Sequence, residues 1–256
     1  MDTFSSSLAI ELRNVSYGLN GGSEVLHNLN LEIRRGETLV LLGRSGSGKT
    51  TTLKLINHLL TATEGEISVD GRPLREWNVI RLRRMIGYVI QEAGLFPHYT
   101  VERNIGLVPK IEGWPPDRIR QRVRELLQLV GLEPQMATRY PRELSGGQRQ
   151  RVGVARALAV DPPFLLMDEP FGALDPLTRA ELQHEFLALQ ARLQKTVVFV
   201  THDLREALLL GSRIALMEAG HLVTIQTKNE FLASENPLAM AYKKAFGGLN
   251  TQGEPI

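Results

Sequence analysis

The sequence contains no cysteine, no apolar run long enough to cross a bilayer and almost no net charge. Without cysteine there are no disulfides, thiolate metal sites or cysteine nucleophiles, which suits a reducing compartment. Spanning a bilayer takes roughly 18–20 apolar residues, and no stretch approaches that length. The first residues, MDTFSSSLAIELRN, have no basic stretch followed by an apolar core, so a secretory signal is not expected. The protein is expected in the cytosol, with any membrane role exercised through a partner. Thirty Lys and Arg against 28 Asp and Glu leave +2 over 256 residues, so no basic field is directed at nucleic acid. Arginines cluster only locally, at Arg81, Arg83 and Arg84 and at Arg118, Arg120, Arg122 and Arg124, as solvated helix faces do. Internal repeats and low-complexity tracts are also missing. What remains is an ordinary globular composition, one large domain or a domain with a lobed insertion.

The stretch that is there is GRSGSGKTT, Gly43 to Thr51. It follows the apolar run Thr38–Leu42 and precedes a segment with helical character, which is the strand–loop–helix context of a phosphate-binding loop. Gly43, Gly46 and Gly48 let the backbone turn tightly and aim N–H groups inward, where no Cβ blocks a phosphate. Arg44, Ser45, Ser47 and Thr51 complete the loop. The helix that opens at its end adds a positive dipole end to the same place. Lys49 can reach the β- and γ-phosphates, and the Thr50 hydroxyl can join a Mg²⁺ shell. The chain is therefore expected to bind a nucleoside triphosphate.

Along the chain, 8–18 and 24–33 alternate apolar and polar residues on either side of a glycine-rich turn at Gly18–Ser23, an antiparallel pair. The helix after the loop is expected to run to about Leu60. Short strands at 66–71 and 86–90 are expected to join the first two in an antiparallel lobe. Helical spacing then covers 100–108, 117–130 and 146–159, an insertion into the strand–helix order. Continuous apolar strands at 164–167, 196–200 and 214–217 alternate with helices at 177–193 and 203–210, the pattern of a covered parallel sheet. A last strand, HLVTIQ, a helical tail at 229–246 and a frayed end at 247–256 close the chain.

Four further places carry chemistry. Leu165-Leu166-Met167-Asp168-Glu169 ends a buried strand in two carboxylates, Asp168 suited to Mg²⁺ and Glu169 to polarising an attacking water. His202 and Gln91 each follow a strand end, where ligands bind in parallel sheets. Ser145-Gly146-Gly147 before a helix forms a second anion-binding helix start. One phosphate loop and two such starts imply that the second serves a nucleotide supplied by something else.

With these residues assembled, the chain resembles the ATP-binding-cassette (ABC) transporter ATPases over nearly its whole length. GRSGSGKT matches the family's Walker A loop, Gln91 its Q-loop, LSGGQRQR its signature motif and FLLMDEP its Walker B strand. Gly172-Ala173-Leu174-Asp175 matches the D-loop and Thr201-His202-Asp203 the H-loop, all in family order. The resemblance implies an α/β phosphate-loop NTPase fold with a RecA-like core, an antiparallel β lobe and a helical subdomain. Residues 1–91 and 161–246 would form the nucleotide-binding core with its lobe, and 92–160 the helical subdomain. The cofactors implied are ATP and Mg²⁺, the metal held by Thr50, Gln91 and Asp168. Tyr17 would stack on adenine, Glu169 would be the catalytic carboxylate and His202 would contact the γ-phosphate. Two copies would dimerise head to tail, each lending Ser145, Gly146, Gly147 and Gln148 to the ATP of the other, with Asp175 coupling the sites.

The segment QEAGLFPHYTVERNI and the forms YPRELSGGQRQR and PFGALDPLTR resemble bacterial importer subunits, and VERNIGLVPKIEGW the quaternary-amine branch (glycine betaine, choline, carnitine). The implied partners are a second copy, transmembrane permease subunits and, indirectly, a solute-binding protein, at the cytoplasmic side of the inner membrane. Phe96, Pro97 and Tyr99 either face that partner or pack within the insertion. Many members of the branch continue into paired regulatory domains of the cystathionine-synthase type; here about ten residues follow the tail helix, so sensing by such domains is not expected. An importer for another solute, an exporter, and a soluble cassette ATPase acting on DNA or ribosomes are the alternatives. The last usually carries two cassettes or a long coiled-coil insertion, neither of which the sequence contains.

Overall fold

The computed structural model describes residues 8–18, 22, 24–91 and 93–246. In chain order it contains β1 (Leu8–Gly18), β2 (Glu24–Arg34), β3 (Thr38–Gly43), α1 (Lys49–Ile56), β4 (Glu64–Val69), β5 (Arg72–Pro73), α2 (Val79–Arg84) and β6 (Ile86–Val89). Then come α3 (Val101–Ile105), α4 (Leu107–Ile111), α5 (Pro116–Leu129), α6 (Gly146–Ala157), β7 (Phe164–Asp168) and α7 (Pro176–Leu193). The chain continues with β8 (Thr196–Thr201), α8 (Leu204–Leu210), β9 (Arg213–Glu218), β10 (His221–Thr227), α9 (Lys228–Ala233) and α10 (Pro237–Ala245). It divides into two compact units, Met1–Val79 with Lys195–Ile256, and Ile80–Gln194.

The first unit holds two sheets. One is antiparallel in the order β2-β1-β4-β5, with Leu12 opposite Leu31 on one side and Ile67 on the other. Its β4–β5 hairpin turns on Asp70-Gly71, both left-handed (φ 56° and 72°), as the tightest hairpins require. The other sheet runs β10-β9-β3-β8, with β3 between two parallel neighbours. All six residues of β3 are buried, which is why this strand reads as a continuous apolar run rather than an alternation. At its entrance the Glu37 carboxylate, 4% exposed, takes a fork of two bonds from Arg213 on β9 (2.9 and 2.6 Å) and a third from the Arg34 N–H (2.5 Å). That ion pair ties β2, β3 and β9 together.

In the second unit β6 and β7 pair in parallel, Tyr88 opposite Leu166 and Val89 opposite Met167. The strand 86–90, expected in the antiparallel lobe, is thus a parallel core strand. The reason is non-local: a Cβ on Gly87 would lie 2.5 Å from the Ala157 carbonyl oxygen and 2.7 Å from Leu165 Cδ2. β6 is therefore pressed flat between α6 and β7. Three smaller differences are local. α1 stops at Ile56 rather than near Leu60, because Asn57 caps it and His58 turns left-handed (φ 52°). The helical tail is two helices, broken at Ser234 before Pro237, whose own helix is capped by the Asn236 side chain. The short α2 was foreshadowed only by the cluster Arg81, Arg83 and Arg84, read as a solvated helix face. The frayed end expected at 247–256, and the expected turn apart from Gly18 and Gly22, lie outside the described residues.

Replacing Glu37 by Gln would leave the half-buried Arg213 guanidinium without its hydrogen-bonded anion, with only the more distant Glu32 charge acting on it. We expect a loss of about 3 kcal/mol in unfolding free energy, seen as a lower urea midpoint at unchanged slope; an unaltered midpoint would contradict this account of the strand entrance.

Candidate functional site

In the first unit the phosphate loop leaves β3 and opens α1. Gly46 and Gly48 are left-handed (φ 80° and 96°), Gly48 at the N-cap position of the helix. A Cβ on Gly48 would lie 2.4 Å from Leu26 Cδ2, and one on Gly43 would lie 2.5 Å from both the Met217 carbonyl oxygen and Ser47 Oγ. Around Gly46 a Cβ would meet nothing within 4 Å, so the main chain there is open to a ligand. The loop is buttressed from behind by the β9–β10 turn: Gly220 N–H donates to the Ser47 carbonyl (3.3 Å) and His27 N–H to the Gly220 carbonyl (3.0 Å).

Lys49 is only 4% exposed, and its ammonium donates to the carbonyls of Gly43 (2.8 Å) and Arg44 (2.9 Å). A lysine is kept charged out of water only by such acceptors. Ser47 is likewise buried, and its hydroxyl has no hydrogen-bond partner among the described residues. Arg44, Ser45 and Gly46 are exposed, and Thr50 and Thr51 half-buried. A buried ammonium, an orphaned hydroxyl and open main chain together fit a polyanionic phosphate chain.

The same unit brings His202 and Tyr17 to this loop. β8 runs parallel to β3 with Thr201 opposite Leu42, so His202 follows where β3 gives way to Gly43. The turn carrying it is fixed by a residue that sequence reasoning missed. The buried Glu206 carboxylate accepts the Thr201 hydroxyl proton (2.5 Å), and that hydroxyl accepts the Asp203 N–H (3.0 Å). Tyr17, half-buried on β1, pairs with Leu26, the residue against which Gly48 is packed.

In the second unit Asp168 is the last residue of β7 and buried, with Glu169 half-buried directly after it. Glu169 has a left-handed backbone (φ 43°), a conformation costly for a residue with a Cβ, and the Gly172 N–H donates to its carbonyl (3.2 Å). Tyr88 of β6 reaches Asp168 Oδ2 at 3.5 Å. Burial, reinforced by the Asp168 charge, raises the tyrosine pKa, so it stays protonated and donates. Tyr88 was not singled out from the sequence; the signal was a polar-tipped aromatic in an otherwise apolar strand. Gln91 is exposed, two residues beyond β6. Among the described residues no group of three or more His, Asp or Glu could hold a metal. The predicted set of Thr50, Gln91 and Asp168 contains one carboxylate, which suits Mg²⁺, an ion that keeps much of its water.

The second helix start is α6. Ser145 and Gln148 form a reciprocal cap: the Ser145 hydroxyl accepts the Gln148 N–H (3.2 Å), and Gln148 Oε1 accepts the Ser145 N–H (2.9 Å). Ser145 is exposed and Gly146 half-buried, whereas Gly147 is buried because a Cβ there would lie 2.5 Å from Thr178 Cγ2. Asp175 caps α7 through the Thr178 N–H (3.1 Å), and that bond lowers its pKa and keeps it ionised. The starts of α6 and α7 are thus packed together.

Phe96 and Pro97 are exposed. The Phe96 main chain is held by the buried Asn104 side chain, which accepts its N–H (2.8 Å) and donates to its carbonyl (3.2 Å). Tyr99 lies against the Phe96 ring and borders a groove of about 1000 Å³ shared with Arg103, Leu107, Lys110, Trp114 and Tyr140.

A parallel strand that turns through a glycine loop with a buried lysine into a helix defines a phosphate-loop nucleotide-binding fold. Residues 26–172 match the family model described as ABC transporter. The chain is 52% identical over 223 residues to the choline transport ATP-binding protein OpuBA of Bacillus subtilis, covering 87% of this chain and 58% of that protein. It is 49% identical over 236 residues to the glycine betaine uptake system ATP-binding protein YehX of Escherichia coli, covering 92% and 73%. Among solved structures it resembles the cassette MJ0796 in a dimeric post-hydrolysis state bound to ADP and Pi (TM-score 0.77, 36% identity, 86% of this chain and 98% of that one). The chain belongs to the ABC transporter family, and it spans little more than half the length of relatives such as OpuBA. No helix among the described residues is long and apolar enough to cross a membrane.

Gly48→Ala would combine a left-handed alanine with a clash on Leu26. We expect a loss of about 2 kcal/mol or more in stability and of binding to a fluorescent ATP analogue; wild-type binding would refute the packing described for the loop.

Proposed function

We propose that this chain is the ATP-hydrolysing subunit of an ABC importer for quaternary-amine osmoprotectants such as glycine betaine or choline. The observation that carries the ATPase reading is Glu169, held in a strained conformation directly after the buried Asp168 at the end of β7. Strain of that kind persists where the surroundings dictate where a side chain must stand. The loop's N–H groups and the Lys49 ammonium bind the β- and γ-phosphates, the ammonium exchanging carbonyl for phosphate oxygens. Thr50, Gln91 and Asp168 hold Mg²⁺, which when bound neutralises charge on the transferring phosphoryl group. Tyr88 orients Asp168 by its hydrogen bond. Glu169 polarises the attacking water, His202 contacts the γ-phosphate and Tyr17 stacks on the adenine.

The helical segment 92–160 is proposed as the subdomain that carries the signature. Its exposed Ser145 cap, with Gly146, Gly147 and Gln148, serves the ATP bound by a second copy, and Asp175 couples the two sites. ATP binding closes this dimer and hydrolysis reopens it, a two-state switch biased by nucleotide. The groove beside Tyr99 receives a transmembrane permease subunit, which places the chain at the cytoplasmic face of the inner membrane, and a solute-binding protein acts only through that permease. The solute class is supported by the names of the relatives OpuBA and YehX.

Glu169→Gln is expected to lower ATP turnover about a hundredfold or more while leaving ATP affinity within a few-fold, so that a nucleotide-bound dimer accumulates on gel filtration. Unchanged turnover would remove Glu169 from the mechanism. In vesicles containing the chain with its membrane and solute-binding subunits, choline or glycine betaine should stimulate hydrolysis. Stimulation by no quaternary amine would overturn the solute class and leave the ATPase standing.

A further inference from the structure

Helix α6 and the turn after Gln91 are joined by a side chain that belongs to neither motif. Arg156, in the last turn of α6, donates to two successive main-chain carbonyls, Ala93 at 2.7 Å and Gly94 at 2.8 Å. Burial lowers the guanidinium's pKa, but arginine stays charged, so the two acceptors compensate a charge held partly out of water. The turn they belong to is unusual. Ala93 and Gly94 are both left-handed (φ 60° and 50°), and Ala93 is fully buried although alanine disfavours that backbone. One helical turn before Arg156, and on the same face, Gly153 lies against it. A Cβ there would sit 3.1 Å from Ala93 Cβ and 3.4 Å from its Cα. The strained turn is therefore gripped from α6 by one guanidinium and one missing side chain.

We propose that Arg156 is a positioning residue. It fixes the turn after Gln91 to the helix that begins at Ser145, so that engagement of that helix start sets the position of Gln91 and hence the rate of hydrolysis. This rests on the reading of Gln91 as a ligand of the metal given under Proposed function. The guanidinium touches no reacting atom; it acts through main-chain carbonyls two and three residues beyond Gln91. Its loss should therefore appear in turnover and in cooperativity with respect to ATP, not in nucleotide affinity, which the loop of the first unit supplies.

The test is a double-mutant cycle in the full chain, with kcat, KM, the Hill coefficient for ATP and the Kd of a non-hydrolysable ATP analogue measured for each variant. Arg156→Met keeps the apolar stem and removes both donors. We expect about a tenfold fall in kcat and a lower Hill coefficient, with the analogue Kd within about twofold. Arg156→Lys, which can still reach one carbonyl, should recover part of kcat. On a Gln91→Ala background, adding Arg156→Met should change kcat by less than about twofold. Gly153→Ala, which displaces Ala93 with the guanidinium intact, should repeat the kcat effect and serves should Arg156→Met fail to fold. Wild-type kcat in Arg156→Met and Gly153→Ala, or effects of Arg156→Met and Gln91→Ala that simply multiply, would overturn the proposal alone. Wild-type kcat in Gln91→Ala would overturn it together with the reading of Gln91.

Discussion

A lysine ammonium taken almost wholly out of water must be met by acceptors, and Lys49 meets the carbonyls of Gly43 and Arg44. Much of the first unit follows from that pair of bonds. The two carbonyls belong to the last residue of β3 and the residue after it, so the loop has to fold back over its own strand end. That path needs left-handed backbone at Gly46 and Gly48 and no side chain at Gly43 or Gly48, where Met217, Ser47 and Leu26 already stand. It also needs a rigid strand end, which β8 and β9 supply by pairing with β3 on both sides, and a support behind the loop, which Gly220 supplies. The ammonium can exchange these main-chain oxygens for phosphate oxygens, because replacing neutral acceptors by anionic ones gains electrostatic energy.

The second unit applies the same logic with opposite charge. β6 and β7 are apolar until they end, and their polar groups come at or just beyond the carboxyl ends: Tyr88 and Gln91 on one, Asp168 and Glu169 on the other. This is where the geometry of a parallel sheet exposes N–H groups and leaves room for ligands. The Tyr88 hydroxyl, kept protonated by burial beside Asp168, supplies a hydrogen-bond donor to that buried carboxylate.

How legible this was in the sequence depended on how local the cause is. The phosphate loop and the Ser145–Gln148 cap are written in residues three to six apart, and their glycine, lysine and serine spacing carries the meaning unaided. The left-handed His58 that ends α1 has no glycine to announce it. The partner of β6 was misjudged because four apolar residues fit a parallel or an antiparallel neighbour equally well; what decides is Gly87 facing Ala157 and Leu165, some seventy residues away. Tyr88, Glu206 and Arg156 were missed for the same reason. Each is unremarkable in its own segment, and its chemistry comes from a residue brought to it by the fold.

The distribution of backbone strain separates the structural turns from the functional ones. Asn14, Asn28, Asp70 and Asp161 are left-handed where the chain bulges or turns, and Asn and Asp tolerate that conformation. His58 and Gln194 are left-handed just past helices, and Ala219 in the β9–β10 turn, where helices and hairpins commonly stop that way. Ala93 and Glu169 answer to none of these: they follow the two parallel strands of the second unit, one just past Gln91 and the other directly after Asp168. In both places a glycine would cost less, so the alanine and the glutamate are held by their surroundings, Ala93 by Arg156 and Gly153, Glu169 by its bond from Gly172. For Glu169 the substitution that would relax the backbone is also the one that deletes the carboxylate. A side chain kept at a position where the backbone disfavours it is kept for what the side chain does.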